Sequence, residues 1–335
     1  MKSKYSVLAA AAALCILILD AKTALAGAGA GLELCIRSVI PALFPFLVIC
    51  GYLTGNLPRL PFLGWLGRFC RIPAGSEGLL FTGLLGGYPV GAAAVTQAWR
   101  DGRLTRDTAQ RMLGFCSNAG PAFLFGMLSQ VFRNTKALWV LWGIHILSAV
   151  ITARLLPGDA DKTFHTGPGN PVSLPDSLSR AVGTMGRVCG WVILFRILLE
   201  FLERWTGWFF PKPVLVFLGG LTELTNGCVS LTLLDILGLR FLFASVFLAF
   251  GGLCVGMQTL SVTGPLGTGL YFPGKILQAC ISFYLAVILQ NPLFPPDQRV
   301  SVPPIFLLAA GIPVLWARIP VFRKKSSSNL ASLGV

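Results

Sequence analysis

Charge is scarce in this sequence. Of 335 residues only 12% are Asp, Glu, Lys or Arg, where an ordinary soluble domain carries about 25%. With 54% apolar residues and a mean hydropathy of +0.74, the chain lacks the polar coat that water demands, which excludes a soluble globular protein and points to the bilayer as its solvent. Histidine is nearly absent: His145 sits in an apolar run and His165 in a polar loop, so a His-based triad or zinc cluster has little to draw on. Cysteine occurs nine times but never in a useful pair. Cys15, Cys35, Cys50, Cys70, Cys116, Cys189, Cys228, Cys254 and Cys280 are scattered singly, most of them inside apolar runs, without metal-ligand or disulfide spacing. Such thiols read as small hydrophobes. P-loop, HExxH and GxSxG strings are also missing, so ATP-driven transport would need a partner and hydrolytic chemistry is disfavoured.

Acid is the scarcer sign of charge. The 27 Lys and Arg against 13 Asp and Glu give a formal charge of +14, yet the basic residues lie between apolar spans and form no stripe with interleaved aromatics. Positive-inside topology accounts for them, and no nucleic-acid partner is expected. Lys2 and Lys4 at one end, with Arg323, Lys324 and Lys325 at the other, favour two cytoplasmic termini and an even number of crossings. Arg100, Arg103, Arg106 and Arg111 read as a cytoplasmic loop. Trp65, Trp139, Trp142, Trp205, Trp208 and Trp316 near span ends read as an interfacial belt among membrane lipids.

What the chain does have is apolar runs from one end to the other. A spanning helix needs about 20 apolar residues. The first candidate runs from Tyr5 to Leu19 and meets Asp20 and Lys22. It resembles a signal peptide, with Ala24-Leu25-Ala26 as a cleavage site, but Gly31-Leu32-Glu33-Leu34 leads straight into the next apolar segment, and an uncleaved span is the preferred reading. Further segments fall at about 38–55, 78–98, 111–132, 137–156, 181–202, 213–234, 241–262, 270–290 and 302–319. Residues 157–179 concentrate Pro, Gly, Ser and Asp and predict a polar linker. This divides the chain into an N-terminal membrane half (1–156), the linker (157–179), a C-terminal membrane half (180–320) and a basic tail (321–335).

The halves share a pattern of helix breakers. Gly83-Leu84-Leu85 and six further residues end at Gly91, Gly219-Gly220-Leu221 and six further residues end at Gly227, and at the same offset of 136 residues Gly120 falls on Gly256. Each glycine-rich break precedes a second one, at Phe115–Pro121 and at Phe250–Gln258. Broken backbone at membrane depth is tolerated only where it is buried in protein or lines a wet cavity, and paired interrupted segments point to a transporter's binding site. The expected fold is therefore an all-α polytopic membrane protein of two inverted repeats, with re-entrant hairpins and broken helices.

Glu223 is the most informative side chain, because it stands in an apolar hairpin with Thr222, Thr225 and Asn226 and has no nearby Lys or Arg in sequence. An acid there costs about 2.5–3.5 kcal/mol on insertion scales and is by default a cavity-facing group; the alternative is a partnered, structural Glu. In the first half Ser117 and Asn118, flanked by Gly120 and Pro121, supply the polar groups, and opposed helix N-termini could hold a carboxylate there; the alternative is a Pro kink whose Ser and Asn satisfy backbone groups. Arg187, Arg196 and Lys275 lie in apolar spans and either pair in the interior or snorkel to headgroups. The candidate substrate-binding set is Tyr88, Ser117, Asn118, Gly120, Glu223, Thr225, Asn226 and Gln258.

Four stretches in order, Val39–Phe46, Gly87–Ala92, Phe115–Pro121 and Gly220–Gly227, make the whole chain resemble the sporulation integral membrane protein YlbJ (SpoVV) family of the nucleoside-recognition, or Gate-domain, group. Ala42 stands where that pattern often has Ser, and Ser117 where it has Asn. The resemblance implies a fold similar to concentrative nucleoside transporters, residence in a bacterial membrane (the mother-cell-derived outer forespore membrane) and movement of dipicolinate, a small aromatic dicarboxylate, during sporulation. The expected partner is thus a small-molecule anion. No cofactor is expected beyond a coupling ion such as sodium or a proton, and a homo-oligomer is compatible. Glu223 fits a dianion badly and a nucleoside-like solute better. A non-transporting scaffold of a sporulation complex is a further alternative, and an enzyme is disfavoured because no second acid or His accompanies Glu223.

Overall fold

The computed structural model describes residues 2–56, 61–158 and 172–317, which contain helices and no strand. The helices are α1 (Lys2–Leu19), α2 (Ala21–Leu34), α3 (Ile40–Asn56), α4 (Gly64–Cys70), α5 (Glu77–Leu85), α6 (Val90–Arg100), α7 (Arg106–Met112), α8 (Pro121–Leu128), α9 (Thr135–Leu155), α10 (Leu174–Thr206), α11 (Lys212–Thr222), α12 (Leu224–Ser230), α13 (Leu237–Phe250), α14 (Gly252–Thr263), α15 (Tyr271–Leu293) and α16 (Pro304–Trp316). Five stretches are long and apolar enough to cross a membrane: Ala21–Leu53, Thr135–Leu155, Leu174–Thr206, Leu237–Leu266 and Tyr271–Leu293. The protein is an all-α integral membrane protein.

Two of these crossings form an antiparallel pair. A π-helical turn at Cys35–Val39 joins α2 to α3 without a break, so the second segment starts at Ala21 and not near residue 38 as its hydropathy suggested. Gly27 and Gly31, one turn apart, let α10 come close: a Cβ on either would stand 2.8 Å from the Cα of Ile197 or Ile193. Small residues four apart are the usual means of close helix contact in lipid. Polar bonds fix the register at both ends. Arg204 bonds Asp20 at 3.1 Å and Thr23 at 2.9 Å, and the Ser177 hydroxyl donates to the Val48 carbonyl at 2.6 Å. Asp20 also caps α2 by accepting from the Thr23 amide, which explains the turn between α1 and α2.

The polar linker is shorter than its composition predicted. Residues 159–171, with His165, lie outside the described residues, but α10 begins at Leu174, inside the expected linker. Ser173 starts it by accepting from the Asp176 amide and donating to the Asp176 carboxylate at 2.6 Å, a strong N-terminal signal that a compositional reading misses. The basic tail (321–335) and the side chains of Lys2, Lys4 and Trp316 also lie outside the described residues. Of the arginines expected in one loop, Arg111 is buried. Its guanidinium donates to the carbonyls of Cys70, Arg71 and Ala153, tying the C-terminal ends of α4 and α9 together, a favourable place for a cation.

Between the long helices lie short ones. α5 and α6 span nine and 11 residues, about 14–17 Å at 1.5 Å per residue, which is about half of the hydrocarbon layer. They turn at Gly86–Pro89, where Gly87 takes φ +80°. α11 and α12 turn at the single extended residue Glu223. Glycines close both turns: a Cβ on Gly91 would stand 2.7 Å from the Gly83 Cα and strike the Cys116 carbonyl, and one on Gly227 would strike Gly220. The helix after each hairpin is interrupted. Residues 113–120 separate α7 from α8, and Gly251 and Gly252, at φ +82° and +77°, separate α13 from α14.

Packing follows from this order. α9 and α15 contribute to the two large apolar clusters, one around α8, α12 and α13 and the other around α5–α7. A third cluster unites α2–α3 with α10 and reaches Val90 and Cys254. Cys228 packs in the first cluster, Cys70 and Cys116 in the second and Cys254 in the third, each as a small apolar group. Gly91→Ala should lower stability by about 1–3 kcal/mol through overpacking, whereas Gly126→Ala, with open space at its Cβ, should be neutral or raise it by about 0.5–1 kcal/mol. Melting of the detergent-purified variants separates the two, and equal melting temperatures would deny that Gly91 closes its hairpin.

Candidate functional site

A small, partly open cavity of about 30 Å³ lies where the helix pair faces the short helices. Val39, Leu43, Val188 and Val192 form one wall from the pair. Tyr88 at one hairpin tip, Ala119, Gly120 and Phe123 at the first break, Glu223, Leu224 and Thr225 at the second tip, and Val255 and Gln258 of α14 form the other. Five of the eight residues expected to bind substrate therefore meet here: Tyr88, Gly120, Glu223, Thr225 and Gln258. Ser117, Asn118 and Asn226 do not line it. Most of the lining is aliphatic, with Glu223, Thr225 and Gln258 as its polar edge.

Glu223 is 1% exposed and its carboxylate caps α12. One oxygen accepts from the Thr225 amide at 3.0 Å and the other from the Asn226 amide at 2.6 Å. Helix geometry leaves those N–H groups without intrahelical partners, and a carboxylate on the positive end of the helix answers both needs. The expectation that helix N-termini here would stand open to a substrate carboxylate is thus overturned for α12: its own side chain already occupies that end. Gln258 is buried and donates to the Cys254 sulfur at 3.3 Å.

The first break is also satisfied from within. The Ala119 amide donates to His145 Nε2 at 3.1 Å. Asn118, fully buried, donates to the carbonyls of Gly83 at 3.1 Å and Phe115 at 2.7 Å, while its Oδ1 accepts from Lys275 at 3.2 Å and Gln278 at 3.0 Å. All four positions of its amide group are used, which places Asn118 behind the cavity wall as a keystone of the break and not as a ligand. Ser117 Oγ is buried without a hydrogen-bond partner, and the Asn226 side chain stands outside the cavity.

Lys275 corrects the sequence reading most. It does not snorkel: the side chain is 0% exposed, and its ammonium donates to Gln278 Oε1 at 2.8 Å, Asn118 Oδ1 at 3.2 Å and the Tyr88 hydroxyl at 3.4 Å. Tyr88 in turn donates to the Leu248 carbonyl at 3.0 Å. The signal was present in the sequence, since Lys275, Gln278 and Ser282 at i, i+3 and i+7 form a polar stripe on an apolar helix, which must face protein. Arg196 instead pairs with Glu200 at 2.9 Å, and among the described residues Arg187 bonds its helix neighbour Thr184 at 3.2 Å on an exposed face. Neither forms an ion pair with Glu223 among the described residues, although the Arg196 charge is near enough for its carboxylate to sense.

No protein-family model, no curated protein and no solved structure matches the chain. Asn118→Ala should lower stability by about 2–4 kcal/mol, because two carbonyls and an ammonium lose a buried partner together; an unchanged melting temperature in detergent would remove its role as keystone.

Proposed function

We propose that the protein is a membrane transporter for a small aromatic metabolite, built as two inverted repeats similar in fold to concentrative nucleoside transporters. The observation that carries this reading is the cavity where two hairpin tips, the first helix break and α14 face a pair of long helices. Supporting the repeat, the order of hairpin, broken helix and long helix occurs twice, and the long helices α9 and α15 begin at Thr135 and Tyr271, the same offset of 136 residues that relates Gly91 to Gly227. Irregular backbone at membrane depth, enclosed by protein and next to a cavity, is what a solute path requires and a packing scaffold does not.

Dipicolinate is the solute that the resemblance to the YlbJ family implies, with the outer forespore membrane as its place. The capped carboxylate of Glu223 constrains how it enters: none of the described cavity residues is Lys or Arg, so a dianion must bring a proton or a cation. A nucleoside-like solute is the second reading, favoured because Glu223 accepts hydrogen bonds from sugar hydroxyls or base amines without a counter-charge.

Uptake into vesicles containing only this protein tests both, with labelled dipicolinate in one arm and a nucleoside in the other. Dipicolinate uptake above protein-free vesicles is expected, with most of it lost in Glu223→Gln at unchanged membrane insertion. Uptake of neither solute ends the transporter reading, full activity in Glu223→Gln dismisses the site, and normal spore dipicolinate in a deletion strain removes the substrate.

A further inference from the structure

The ammonium of Lys275 sits among neutral oxygens and has no carboxylate beside it. Among the described residues its contacts are Gln278 Oε1, Asn118 Oδ1 and the Tyr88 hydroxyl, with the face of the Tyr88 ring 5.2 Å away, and no acid lies within ion-pair distance. The other titratable groups close enough to sense its charge are the Cys116 thiol of the first break and the His145 imidazole of α9. His145 is held as an acceptor by the Ala119 amide. A buried amine with no acid beside it is tolerated only when hydrogen bonds satisfy it, and here the oxygens come from three places: a hairpin tip, a helix break and α15 itself.

Neutral carbonyl, amide and hydroxyl oxygens converging on one positive charge are also what a small alkali cation needs, and unwound segments of broken helices are where carriers hold a coupling cation. We propose that the Lys275 ammonium is a resident cation: it fills the slot between the Tyr88 hairpin tip and the Asn118 break that a sodium ion would otherwise fill, so the solute cavity is assembled without a free metal cation. Tyr88 conveys the effect, because it both lines the cavity and receives the ammonium. The inference deepens the transporter reading and rests on it for its consequence, which is sodium-independent uptake.

Melting of the full-length protein in detergent tests the slot without reference to transport. Wild type is expected to melt at the same temperature in sodium chloride and in choline chloride of equal ionic strength, and a sodium-specific rise would overturn the proposal. Lys275→Ala, extracted in parallel in choline, sodium or ethylammonium chloride, is expected to melt well below wild type in choline and to regain several degrees in sodium or ethylammonium. Wild-type behaviour of the variant in every salt, or a loss that neither cation restores, including aggregation in all three, would also overturn it. In vesicles, wild-type uptake should be unchanged when choline replaces sodium, and a sodium requirement counts against the slot. Absence of uptake in every salt strikes the transporter reading alone and leaves the slot to the melting result.

Discussion

A broken helix in a membrane releases backbone N–H and C=O groups that lipid cannot satisfy, and each unsatisfied group costs several kcal/mol. Two hairpin tips and one helix break of this kind meet at the cavity, and the way they are answered organises the structure around it. At the second hairpin the answer is a single carboxylate, Glu223, bonded to the amides of Thr225 and Asn226. At the first break it is the pair His145 and Asn118, one taking an amide and the other two carbonyls. Lys275 and Gln278 belong to the same arrangement, since the Asn118 oxygen turned inward accepts from both. The polar groups of the site are thus primarily the means by which interrupted backbone survives out of water.

Glycine makes the same arrangement possible sterically. A side chain at Gly91 or Gly227 would force the legs of a hairpin apart, and one at Gly251 would stand 3.1 Å from the Tyr88 ring. The last contact crosses from the second broken helix to the first hairpin tip. Together with the bond from Tyr88 to the Leu248 carbonyl, it links elements far apart in sequence directly at the cavity. The two sides of the chamber therefore differ in construction: one is a smooth aliphatic wall from α3 and α10, and the other a set of tips and breaks held in register by glycine contacts and polar bonds.

Much of this was legible in the sequence, for identifiable reasons. The apolar runs, the hairpin turns within Gly86–Gly91 and Leu221–Gly227, and the break within 115–121 announce themselves because Gly, Pro and an isolated acid are conspicuous against Leu and Val, whereas the second break, expected over 250–258, is confined to Gly251 and Gly252 and the rest of that stretch is helix. Five of eight expected cavity residues came from that contrast. What was hidden depends on partners distant in sequence. Asn118 is the right residue type in the right break, but its partners Gly83, Gln278 and Lys275 lie far away, so its role as keystone cannot be read locally. Lys275 was obscured because a lysine in a long apolar helix has two opposite fates, headgroup or interior, and only the polar stripe through Gln278 and Ser282 decides between them. The start of α2 was missed because its glycines and charges depress hydropathy while serving helix contact, and α10 began early because Ser173 and Asp176 look like linker until their capping geometry is seen.

The helix pair has one more implication. Its members run 33 residues each, about 50 Å at 1.5 Å per residue, against a hydrocarbon layer of about 30 Å. Rods of that length can cross with some tilt, which packing against neighbouring helices and interfacial anchors set. Because Val39, Leu43, Val188 and Val192 belong to these rods, the contacts that lock the rods together, Gly27 and Gly31 against α10 and Arg204 with Asp20, also fix where one wall of the chamber stands.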